Sequence, residues 1–145
     1  MNAVFAVPSR LLVYLVIFSA LPFSECLAAS APENANVYFI APTDGDIVSR
    51  QFDVKIGVKQ GSITPVGEVG PNLGHCHVLI NLDDLVDLSM PLPVNANIVH
   101  LDGGEPDVSL TLPRGKHTLQ LLLGDDKHVP HSPPIFSQPI TITVR

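Results

Sequence analysis

The chain has 145 residues, a net charge of −6, 46% apolar residues, fourteen prolines, ten glycines and no tryptophan. That length builds one domain with a genuine hydrophobic core and not two. Singly scattered lysines leave no basic stripe to hold nucleic acid or an anionic membrane surface.

Arg10 gives the N-terminus a positive flank, Leu11 to Phe23 is nearly unbroken apolar sequence, and Ser24 to Ala31 turns small and polar. This is the layout of a secretory signal peptide, predicted over residues 1–30, with cleavage after Ala28 or Ser30. An apolar run of thirteen residues falls short of the roughly twenty that span a bilayer as a helix. No membrane span is therefore expected after cleavage, and the expected location is periplasmic or secreted. Phe23-Ser24-Glu25 before Cys26 argues against a lipoprotein, whose signal wants a leucine-like residue and small neighbours there. If Cys26 leaves with the leader, Cys76 is the one remaining thiol and no internal disulfide can form.

Residues 31–145 are predicted to form a single all-β domain. Phe52, Val54, Ile56 and Val58 alternate with Asp53, Lys55, Gly57 and Lys59, the period of a half-buried strand. Val108, Leu110 and Leu112 repeat the pattern, as do Ile140, Ile142 and Val144. Turn chemistry separates the runs at Asp44-Gly45, Gly103-Gly104, Pro113-Arg114-Gly115 and Gly124-Asp125. About seven strands result, near 37–41, 47–49 with 51–58, 75–81, 97–101, 108–112, 117–123 and 138–145. Their spacing predicts an immunoglobulin-like β-sandwich. His117, two residues after Gly115, falls where such domains place a corner tyrosine that binds upstream backbone. Two long loops, 59–74 and 124–134, are expected.

Six histidines are the chemically suggestive feature. On a strand, His75 and His77 share one face, pointing outward, while Cys76, Val78 and Ile80 face the core. His128-Val129-Pro130-His131 reads as a fixed loop, since its proline opposes a helix. In an immunoglobulin-like order the third and sixth strands are antiparallel neighbours. That would bring His75, His77, His128 and His131 to one end of the sandwich, with His100 a secondary candidate and Asp125 and Asp126 close by. Neutral imidazoles grouped in this way suit copper(II) or zinc. A structural reading competes: His75 and His77 as exposed strand residues, His128 and His131 bonded to loop backbone. Cys76 between two histidines invites a mixed sulfur and nitrogen copper site, but alternation turns it inward, as an inert thiol.

Gly74-His75-Cys76-His77-Val78-Leu79-Ile80, His100 before Gly103-Gly104, Leu112 through Leu121, and Gly124-Asp125 through Pro133-Pro134 resemble the exported bacterial family catalogued as domain of unknown function 4399. The resemblance implies an exported single-domain protein and supplies no activity. Members commonly show three consecutive histidines where this chain has His75-Cys76-His77. The expectation is a binding module of the cell envelope, with a transition-metal site. The alternatives are a metal-independent adhesion domain contacting an envelope protein or polymer and, last, a metal-dependent enzyme with Asp125 or Asp126 as base. No spacing nominates a catalytic triad or a phosphate-cradling loop.

Overall fold

The strands follow the alternation of the sequence. In the computed structural model, residues 35–60, 62–63, 73–82, 87–101 and 106–145 are described. The predicted signal peptide, the start of the domain at 31, and the turn at Gly103-Gly104 lie outside them. Ten elements run in chain order: β1 (Asn36–Ala41), β2 (Ile47–Val48), β3 (Gln51–Lys59), β4 (Ser62–Ile63), β5 (Leu73–Ile80), β6 (Ile98–His100), β7 (Asp107–Thr111), β8 (Gly115–Gly124), β9 (Pro130–Phe136) and β10 (Ile140–Val144). Along β3, Phe52, Val54 and Ile56 are buried while Gln51, Asp53 and Lys55 face solvent. Ile140, Ile142 and Val144 of β10 do the same.

Two sheets enclose the core. One is β1-β3-β7, antiparallel throughout. The other runs β2-β10-β8-β5-β4, with β6 beside β5 and β9 beside β8. First, third and seventh elements on one sheet, with β5, β8 and β10 on the other, is the immunoglobulin-like division of strands. Val37, Val54, Ile56, Cys76, Val78, Leu119, Leu121, Leu123 and Ile142 interdigitate between the sheets.

Two segments differ from the sequence reading. The runs 47–49 and 51–58 are not one ribbon, because β2 pairs in parallel with β10 while β3 joins the other sheet. The chain switches layers at Ser49-Arg50. The long loop expected over 124–134 is mostly a strand: only 125–129 form a turn, and β9 follows. Its prolines fit because β9 bonds to β8 alone, and its register shifts between Leu123 and Gly124. Proline is tolerated at such edges and bulges.

His117 closes the corner as the sequence suggested. Its Nε2 donates to the Pro113 carbonyl at 2.8 Å, so Nδ1 accepts from Asn81 Nδ2 at 2.9 Å. Asn81 Oδ1 in turn accepts from the Thr118 amide at 2.9 Å, which fixes its amide orientation. The ring is buried on the core side of β8. His117→Ala removes both bonds and opens a cavity, so it is expected to lower stability by about 1–3 kcal/mol. Urea denaturation of the two proteins checks this.

Candidate metal centre

Strands β5 and β8 are apolar on both faces toward their C-terminal ends. Val78-Leu79-Ile80 and Leu121-Leu122-Leu123 are unbroken apolar runs, and continuous runs belong to strands covered on both sides. The core takes one face. On the other, Leu79, Leu92, Ile98 and Leu122 form a second cluster with Leu88 and Phe136 against it. Residues 87–98 therefore lie as a roof over the outer face of the larger sheet. The Leu92 amide donates to the His128 carbonyl at 2.9 Å, which ties the roof to the turn between β8 and β9.

His75 and His77 point away from the core, as alternation requires, but they are not exposed. Their relative accessibilities are 0% and 1%. The roof and the turn cover the face that the sequence reading left to solvent. Within the ladder, His75 stands opposite Gly124 and His77 opposite Leu122. On the other edge of β5, His100 stands opposite His77, which brings the secondary candidate into the centre of the group.

The fourth ring comes from the turn. Asp125 is buried, and its Oδ1 accepts from the amides of Lys127 at 2.8 Å and Val129 at 2.9 Å. Its own amide donates to the Val129 carbonyl at 2.8 Å, and its carbonyl accepts from the His128 amide at 3.0 Å. These bonds hold His128 at φ 62°, the left-handed region that histidine visits more readily than most residues. Asp125 is thus a brace for the turn. Gly124 gives the rings room, and Gly74 lets the two strands approach closely. A Cβ at Gly124 would lie 3.2 Å from His77 Cε1 and 3.3 Å from the His128 carbonyl carbon. A Cβ at Gly74 would lie 2.6 Å from the Gly124 oxygen.

His75, His100 and His128 offer ligand nitrogens that all lie within 4.8 Å of one another. The rings of His100 and His128 are 4.0 Å apart between centroids, and His75 meets them edgewise at 5.3 and 5.0 Å. His77 packs from the other side, 4.7 Å from His100 and nearly parallel to it, and 5.7 Å from His128. Burial, and then the neighbouring His100 and His128, push the His77 pKa down to about 3, against a hydrogen bond to the Leu122 backbone that raises it. His77 is therefore neutral. Among the described residues its Nδ1 is buried without a partner. No carboxylate belongs to the three-ring group.

His131 stands apart from these rings. Its Nε2 lies 3.4 Å from where a Cβ of Gly74 would sit, beside Leu123 Cγ. Gly74 has the parity of Cys76 and Val78, so His131 is buried on the core side of the sheet. The reason is that residue 131 lies within β9, where it takes the parity of core-facing Ile135, the partner of Leu123. Cys76 faces the core without a bulge to turn it, and burial pushes its thiol up to about 12. It is an inert thiol, as alternation predicted.

The strand order and the roofed histidines define an immunoglobulin-like sandwich domain carrying a buried imidazole cluster that could hold a metal ion. The chain belongs to the family described as Domain of unknown function (DUF4399), whose pattern matches residues 54–145. No curated protein matches the sequence. Among solved structures, the endo-beta-1,4-mannanase from Thermotoga petrophila is similar at 16% identity and a TM-score of 0.41, over 77% of this chain. The chain spans 20% of that enzyme's length. The fibronectin(III)-like modules of Clostridium thermocellum CbhA are similar at 8% identity and a TM-score of 0.38, over 74% of this chain and 92% of theirs. Among the described residues, no helix is long and apolar enough to cross a membrane.

Two outcomes follow from the burial of these groups. Between pH 6.5 and about 3 the unfolded chain binds a proton at His77 that the folded chain excludes. The stabilisation is complete above pH 6.5 and is lost as pH falls through that window. Urea midpoints of the metal-free protein should accordingly decrease from pH 7 to pH 4. Iodoacetamide at pH 8 should leave Cys76 unlabelled in the folded protein and label it in denaturant, as read by peptide mass mapping.

Proposed function

We propose that the protein is an exported cell-envelope binding module, periplasmic or secreted, that holds one copper or zinc ion through His75, His100 and His128. The observation that carries this reading is the set of three imidazole nitrogens within 4.8 Å of one another, one ring buried and two partly buried. Tetrahedral ligands at zinc-like bond lengths stand roughly 3.3 Å apart. Small ring rotations span the difference. The chemistry of the set agrees: imidazole without thiolate or carboxylate suits zinc and copper rather than magnesium or calcium. Neutral rings are the ligating form.

A binding role is favoured over catalysis because Asp125, one of the two candidates for a general base, spends Oδ1 on two backbone amides. The role of His131 is separate, since it lies across the sheet from the proposed ligands.

Calorimetric titration of the purified protein with zinc or copper(II) at pH 7.5 should give saturable uptake of one ion. His75→Ala should weaken binding by more than about 100-fold, because it removes one of three ligands. His117→Ala and His131→Ala should keep the uptake of one ion. Affinity should fall as pH drops through the histidine range, since protons compete for the ligating nitrogens. Absence of saturable uptake of either ion would remove the reading.

A further inference from the structure

We propose that the ion held by His75, His100 and His128 carries a fourth, exogenous ligand. That ligand is a water or hydroxide, exchangeable for a small monoanion, and it donates a hydrogen bond to His77 Nδ1. The inference rests on the metal reading above. It concerns what completes the coordination sphere.

The first argument is the orientation of His77. Its ring lies within 10° of parallel to that of His100, stacked at 4.7 Å. An imidazole lone pair lies in the plane of its ring. A ring stacked beside a ligand therefore directs its lone pair alongside that ligand's, rather than at the same ion. Three histidines with an open position is also the ligand count of metal sites that keep a water.

The second argument is charge. A divalent ion bound by three neutral imidazoles keeps its full charge of two, and among the described residues no carboxylate or thiolate belongs to the group. Cys76 faces the opposite side of the sheet. Isolated charge is costly in a pocket where His75 is fully buried. Hydroxide, or a small anion replacing it, lowers that charge directly at the ion.

The third argument is the unused acceptor. His77 is 1% exposed, and its Nδ1 has no partner among the described residues. Neutral imidazole has one accepting nitrogen, and the unpartnered Nδ1 is free to be it. Buried acceptors in native proteins are nearly always satisfied. A proton on a metal-bound water would satisfy this one, with His77 holding the water in the way that outer groups orient ligands.

The test uses the purified protein loaded with one equivalent of cobalt(II), whose visible spectrum reports coordination, titrated with sodium azide. The expected result is a spectral change that saturates at one azide per cobalt, as azide replaces the bound water. In His77→Phe the water loses its acceptor, so azide should bind about fivefold more tightly. If the wild-type spectrum ignores azide while His77→Phe responds, His77 is itself the fourth ligand and the proposal is overturned. If azide binds both proteins equally, the role given to His77 is wrong. Failure to take up cobalt at all would remove the metal reading and this inference with it, whereas uptake without an azide response removes the inference alone.

Discussion

The antiparallel ladder between β5 and β8 is the constraint on which the rest depends. Its register sets His75 opposite Gly124 and His77 opposite Leu122. A slip of one residue would turn both imidazoles into the core and Cys76 out of it, because side chains alternate strictly between faces. The same register delivers the chain from Gly124 directly into the Asp125 turn, so His128 emerges above the two strand histidines. On the other edge of β5, pairing with β6 sets His100 beside His77. Four rings meet because three ladder positions and one turn are fixed together.

Holding imidazoles out of water is costly unless their polar atoms are satisfied. The apolar roof offsets that cost. Leu92 and Ile98 are buried against Leu79 and Leu122, and a fully buried side chain of this kind contributes about 1.5–3 kcal/mol. The roof and the site are therefore one device. The bond from Leu92 to the His128 carbonyl couples the roof to the turn that carries the fourth ring.

Much of this was readable in the residues. Alternation located β1, β3, β5, β7, β8 and β10, and the glycine-to-histidine spacing located the corner at His117. The pairing of the third and sixth runs followed from strand order alone. What escaped notice had a signal of its own. Leu79 and Leu122 break the alternation of their strands, and an apolar residue on a supposed solvent face indicates a second cover. Prolines concealed β9, since they argue against a strand except at an edge or a bulge, and edge position is a property of the sheet. The separation of His131 from His128 depends on residue 131 belonging to β9 and residue 128 to the turn before it.

The amino-acid order by itself determined the period of each strand, the face each side chain takes, and hence that His75 and His77 share a side and Cys76 opposes them. Those are local consequences of backbone geometry. Only the tertiary structure decided that this side is roofed, that His100 belongs at its centre and that His131 lies across the sheet. These outcomes depend on contacts between segments far apart in the chain, whose register and layering arise when the sheets pack.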